Sequence, residues 1–272
     1  MSNVSIAILI ATFNRSEITL KALAKIFEIK ESVQGIEVFV CDGGSTDGTP
    51  EHIKNHFPQV KVDIVQKAYW NTATLNAWEV AAVDRFDYYL WMNDDLDLFV
   101  DATTEFLSSL EKYPEKCAIS VGQIVDPDTR RIVYSGLKSQ SSFRKYSFKP
   151  VNDLETKPKT FNGNFVLIPE CAASKIGLLD SKFSHGFGDI DYGLRATSNG
   201  VEIQLIGIIG ETCYNQVFAK SISRVSILRL HRVMKDKKIL PFREVAHFYR
   251  KHEPLFWPLY IFWRYIRILR LK

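Results

Sequence analysis

The 272 residues, 46% hydrophobic and 24% charged, suit a globular chain with one sizeable core or two small ones, and exclude a disordered chain, a collagen-like repeat and a disulfide-stapled miniprotein. The net charge of +4 is the sum of two unlike parts. Residues 220–272 carry 14 Lys and Arg against 3 Asp and Glu, or +11, whereas residues 1–219 carry 21 against 28, or −7.

Residues 4–11 form a continuous aliphatic run suited to a strand buried on both faces, with no basic segment or cleavage site before it, so no secretory signal is expected. Residues 18–33 place apolar side chains at helical spacing, with Ser16 as a candidate cap. A second buried strand is predicted at 36–41, a helix at 49–57, a third strand at 60–65, a helix at 72–83 and a fourth strand at 87–92. This rhythm predicts an α/β fold with a mostly parallel sheet flanked by helices, whose ligands lie at the carboxyl ends of the strands.

Further along, 126–131 reads as a turn, 139–159 as a long mobile loop rich in Ser and Lys, 165–168 as a strand, 189–198 as a helix and 201–209 as a last core strand. Cys41, Cys117, Cys171 and Cys213 lie far apart with no Cys-x-x-Cys pair, and read as reduced, mostly buried thiols of a cytosolic protein. From about Lys220 the chain turns to basic helical segments, which places a boundary between a body, 1–219, and a tail, 220–272.

The strand ends carry the chemistry. After the first comes Thr12-Phe13-Asn14-Arg15, after the second Asp42-Gly43-Gly44-Ser45-Thr46-Asp47-Gly48-Thr49, and after the fourth Asn93-Asp94-Asp95. Later segments are Asn162-Gly163-Asn164-Phe165 and His185-Gly186-Phe187-Gly188-Asp189-Ile190-Asp191. Each alone is a capped turn or a solvated acidic loop; together, in this order, they resemble the family 2 glycosyltransferases of GT-A fold over roughly residues 3–210.

That resemblance implies a nucleotide-sugar-binding half at about 1–97 and an acceptor-binding half at 98–219. It implies donor binding by Thr12, Asn14, Asp42, Lys67, Trp70, Asn76 and Asp94, and a Mg²⁺ or Mn²⁺ ion on Asp95, since hard oxygen ligands suit the ion that neutralises a diphosphate leaving group. Asp189 aligns with the catalytic base, and Asp191 and His185 with acceptor contacts. The sequence departs from the family pattern at Gly43, Asn93 and Gly188, where acids are usual. Those departures keep open an alternative, a catalytically inactive GT-A binding or scaffold subunit.

The tail from Leu255 onward interleaves Phe256, Trp257, Tyr260, Phe262, Trp263 and Tyr265 with Arg264, Arg267 and Arg270. Its apolar stretch, 254–263, is broken by Pro258 and is half the roughly 20 residues a spanning helix needs. The composition suits the headgroup layer of an anionic membrane, with internal packing or a homodimer interface as the alternatives. No nucleic-acid partner is expected, because no binding motif accompanies the basic residues. The expectation is an inverting transferase that passes a sugar from a UDP- or dTDP-linked donor to a lipid-linked surface-glycan acceptor, cytoplasmic and peripheral on the inner membrane face.

Overall fold

The computed structural model describes residues 4–110, 117–141, 145–213, 227–236 and 241–269. The first part alternates β1 (Ile6–Thr12), α1 (Ser16–Ser32), β2 (Ile36–Asp42), α2 (Thr49–His56), β3 (Lys61–Ile64), α3 (Trp70–Ala82) and β4 (Tyr88–Asn93). All seven elements match the predicted ones to within a few residues. β1 pairs in parallel with β2 and β4, and β2 with β3.

Alternation along these strands divides two cores. Ala7, Leu9, Phe39, Tyr89 and Trp91 pack with α3 on one side, whereas Ile6, Ile8, Ile10, Val38, Val40 and Leu90 pack with Ala22, Leu23, Ile26 and Ile29 of α1 on the other. Burial on both faces is why these strands are apolar throughout. The short strand β3 ends the sheet, and its largely exposed residues include Lys61, which suits an edge.

The second part contains β5 (Leu96–Leu98), α4 (Val100–Ser109), β6 (Ala118–Val125), β7 (Ile132–Tyr134), β8 (Gly136–Ser139), β9 (Phe148–Pro150), β10 (Thr160–Phe161), β11 (Phe165–Pro169), α5 (Glu170–Ile176), α6 (Gly188–Ser198) and β12 (Glu202–Thr212). Among the described residues the main sheet runs β3-β2-β1-β4-β11-β6-β12-β5, with β7 beside β6. β11 enters antiparallel to β4, so the sheet is parallel in its first half and mixed beyond.

Two expectations need correction. The stretch 139–159 is not simply a long loop: β9 pairs with β8, β8 with β10, and Tyr146 and Val151 are buried. Nor are all four cysteines free. Cys117 and Cys171 form a disulfide, with Cα atoms 5.9 Å apart, because β6 and β11 are neighbours and bring the start of β6 beside α5. Cys41 is a free buried thiol, and Cys213 is free and exposed.

The tail supplies α7 (Ile227–Lys235), α8 (Phe242–His252) and α9 (Trp257–Ile268); the boundary expected near Lys220 lies outside the described residues. Val245, Phe248 and Tyr249 of α8 pack with Ile261 and Tyr265 of α9 and with Tyr146, Phe183 and Leu194 of the body. No helix among the described residues is long and apolar enough to cross a membrane.

Candidate active site

Two loops meet beyond the carboxyl ends of β1 and β2. Asn14, in a left-handed conformation at φ 51°, donates its N–H to the Ser45 hydroxyl at 2.7 Å and accepts the Thr46 N–H at 2.8 Å. Asp42 is fully buried and shapes its own turn, accepting the N–H groups of Gly44 and Ser45 at 2.8 and 2.6 Å and the Ser45 hydroxyl at 2.6 Å. Gly43 has no room for the family's acid: a Cβ there would lie 2.7 Å from the Ala68 carbonyl oxygen.

At the end of β4 the two acids are gathered by a residue the sequence reading passed over. Arg15 reaches Asp94 at 2.8 Å and Asp95 at 3.2 Å; Asp94 is 4% exposed, Asp95 15% and Arg15 37%. Burial raises the Asp94 pKa to about 6, against the lowering influence of Arg15. Thr12, at the end of β1, shares a 2.8 Å hydrogen bond with Thr19, which in turn reaches toward Asp94.

Asp94 and Asp95 offer the hard oxygen donors that a divalent cation takes, but both carboxylates are paired with Arg15, so a cation would share or displace that guanidinium. No cluster of three or more His, Cys, Asp or Glu gathers among the described residues, so a cation would draw its other ligands from elsewhere. Mg²⁺ is commonly bound in this way, through one or two carboxylates plus substrate phosphates.

From Asn93 a continuous line of contacts leads to the second acidic segment. The Trp70 indole N–H donates to Asn93 Oδ1 at 2.9 Å. A Cβ on Gly163 would fall 2.5 Å from the Trp70 ring and 3.1 Å from Asp189 Cβ, so glycine is needed where these two groups close on it. The Gly163 N–H donates to Asp189 Oδ2 at 3.0 Å. Burial pushes the Asp189 pKa up, with the Gly163 and Ile190 N–H groups working in the opposite direction.

Asn93, Trp70 and Asp189 are therefore assembled. Lys67 is exposed at a left-handed φ of 62°, and His185 is exposed with its ring 6.2 Å from Tyr69. Asn76 lies within α3, its Oδ1 buried without a hydrogen-bond partner.

Gly188 also has its space taken. A Cβ there would sit 1.7 Å from Asn71 Oδ1, while Asn71 donates to the carbonyls of Asp180 and Phe183 at 3.1 and 2.8 Å. Asn71 thus fills the volume an acid side chain would enter. Gly188→Glu is expected to destabilise the chain by about 1–3 kcal/mol through overpacking. Thermal melting checks this, and an unchanged midpoint would mean that Asn71 swings aside.

Asp191 lies two residues beyond Asp189 but faces the tail. It is 0% exposed and meets Arg195 at 2.9 Å, Lys251 at 2.9 Å and His252 at 2.8 Å. Burial alone would raise its pKa, but these partners hold it below the usual carboxylate range. Asp180 is likewise held low, by His247 and Lys251, each at 2.8 Å. The sequence signal for this contact is the spacing of His247, Lys251 and His252 on one helix, within the basic tail.

Comparisons with known proteins agree with this architecture. Residues 7–180 match the model of glycosyl transferase family 2. Among solved structures, the mannosyltransferase PcManGT from Pyrobaculum calidifontis, in complex with GDP-Man and Mn²⁺, is similar at 14% identity and a TM-score of 0.54, over 98% of this chain and 70% of that one. TarS of S. aureus is similar at 11% identity and a TM-score of 0.56, over 93% of this chain; the chain spans only 44% of TarS. No curated protein sequence matches the chain. The family match over residues 7–180, on a GT-A sheet with these loops at its strand ends, makes the chain a member of glycosyl transferase family 2 and a glycosyltransferase.

Proposed function

We propose that the protein is an inverting, metal-dependent glycosyltransferase that moves a sugar from a nucleoside-diphosphate donor, UDP- or dTDP-linked, to a hydroxyl of a lipid-linked surface glycan. The observation that carries this reading is the contact path from Asn93, next in the chain to Asp94 and Asp95, through Trp70 and Gly163 to Asp189, which supports a phosphate end and a base within one site. Asp189, with its raised proton affinity, takes the proton of the acceptor hydroxyl as that oxygen attacks the anomeric carbon. The bond to the donor diphosphate breaks on the opposite face, and its electron pair leaves with the nucleotide, giving inversion.

Asp95 would hold Mg²⁺ or Mn²⁺, with Asp94 sharing the ion or beside the ribose, and the bound ion would supply charge neutralisation for the departing diphosphate. Thr12, Asn14 and Asp42 contact the nucleoside, Lys67, Trp70 and Asn76 the phosphates and sugar, and His185 the acceptor. The buried pairing of Asp191 favours a supporting role over acceptor contact.

The test is a screen of UDP-glucose, UDP-N-acetylglucosamine, dTDP-rhamnose and GDP-mannose for hydrolysis with Mn²⁺. GDP-mannose is included because GDP-Man is the ligand of PcManGT and because Asp42 is already engaged in its own turn. Turnover of one donor that disappears in Asp95→Ala supports the reading. No turnover and no nucleotide binding in wild type favours the inactive scaffold, for which the departures at Gly43, Asn93 and Gly188 speak.

The acceptor side draws support from α9. Ile261 and Tyr265 face inward, whereas Leu255 is 82% exposed and Phe256, Leu259, Phe262 and Trp263 are each more than half exposed. These residues recur at helical spacing beside Arg264 and Arg267, a pattern suited to an anionic lipid surface, such as the inner face of a cell membrane. The full chain is expected to sediment with phosphatidylglycerol vesicles, and Leu259→Glu/Trp263→Glu to remain in the supernatant. Equal sedimentation of the two would remove the membrane from the reading.

A further inference from the structure

We propose that helix α8 is a clamp for the segment that carries Asp189, with Lys251 as its central positioning residue and Glu244, His247 and His252 as its supports; this rests on the reading of Asp189 as the base. The segment from Asp180 to Asp191 is held at its start, middle and end. Asp180 takes His247 and Lys251, and Asp191 takes Lys251 and His252. A single ammonium thus ties both ends of the segment together, 2.8 Å from Asp180 and 2.9 Å from Asp191.

Between them, the Glu244 carboxylate accepts the Ser184 N–H at 3.1 Å and the Ser184 hydroxyl. The Ser184 carbonyl in turn accepts the Asn71 N–H at 3.1 Å, at the first turn of α3, where Trp70 lies. The clamp therefore connects the tail both to the segment that carries Asp189 and, through Ser184, to the start of α3.

Backbone geometry gives a reason for such a device. Phe187, immediately before α6, has φ 69°, a conformation that costs an aromatic residue on the order of 1–3 kcal/mol and persists only where its surroundings over-determine it. Its ring packs on Phe248 of α8 at 4.9 Å between centroids, the Arg264 guanidinium lies 5.6 Å from the ring, and its carbonyl accepts the Asp191 N–H at 2.7 Å. Asp189 lies two residues beyond this strained point. A side chain so placed inherits any rotation there, and a misplacement of about 1 Å is enough to cost about 100-fold in rate.

The experiment uses the full chain with Lys251→Met, Lys251→Arg and Asp189→Asn. The readouts are kcat and KM for whichever of the four screened donors is turned over fastest, UDP titration by calorimetry, and thermal melting. Lys251→Met is expected to lower kcat by about 10- to 100-fold, with donor KM and UDP affinity unchanged within about two-fold, the signature of an interaction felt in the transition state alone. Lys251→Arg, which keeps the bridging charge, is expected to restore most of kcat.

Wild-type kcat in Lys251→Met, beside an inactive Asp189→Asn, overturns the clamp alone. Loss of kcat and UDP binding together in both Lys251 variants, with a lowered melting midpoint, makes α8 merely structural and also overturns it. Full activity in Asp189→Asn overturns the base assignment and this proposal with it.

Discussion

Asp189→Asn is expected to lower the rate of sugar transfer by about 10²- to 10⁴-fold, the usual contribution of a positioned general base, while nucleotide binding stays at its wild-type level. The reasoning is geometric before it is electrostatic. Asparagine is nearly isosteric and its amide oxygen still accepts the Gly163 N–H, so the contact that joins α6 to Trp70 survives. What disappears is the ability to take a proton. Burial gives the native carboxylate a raised proton affinity, which suits the proposed acceptance of a hydroxyl proton. The measurement is kcat and KM for the donor alongside UDP titration; retained kcat removes Asp189 from the base role.

The second large effect concerns stability. Asp191→Ala is expected to cost about 3 kcal/mol, the lower end of what breaking a buried ion pair costs. The lower end applies because Arg195 retains the Ile176 and Leu178 carbonyls at 2.7 and 2.8 Å, and Lys251 retains Asp180. For a chain of this size that is a fall in Tm of roughly 6–12 °C.

The pH dependence carries its own sign. The folded-state pKa of Asp191 is depressed, as is that of Asp180, so the stability they contribute is present above the ordinary carboxylate range and is lost as pH falls below about 4. Melting curves between pH 3 and pH 7 should show wild type losing its advantage over Asp191→Ala toward acid. A constant difference across that range would detach the effect from ionisation.

The first half of the fold was readable because a central strand in a parallel sheet must be apolar on both faces. The runs ending at Thr12, Asp42 and Asn93 have that pattern, and the candidate residues follow at their carboxyl ends. β7 to β10 were not readable: each has two to four residues, too few for a period to emerge, and Tyr146, between β8 and β9, packs against Phe248 of the distant tail. The Cys117–Cys171 bond escaped for a related reason, since the partners are 54 residues apart and only the neighbouring of β6 and β11 brings them together.

The linear order of residues by itself determined the strand–helix alternation, the acidic motifs at the strand ends and the division of +4 into a −7 body and a +11 tail. Tertiary structure alone decided what those charges meet. Gly43 and Gly188 read as missing acids along the chain, yet in space their side-chain volumes are occupied by Ala68 and Asn71. The tail read along the chain as basic helices ending in an aromatic segment that suits a membrane or packs internally, and in space Lys251 and His252 turn inward to Asp191 while Leu255, Leu259 and Trp263 remain outside. The physical reason is common to these cases. Burial, packing volume and charge pairing belong to groups far apart in sequence, as with Asn71 and Phe183, 112 residues apart, and such separations leave no local periodic signal.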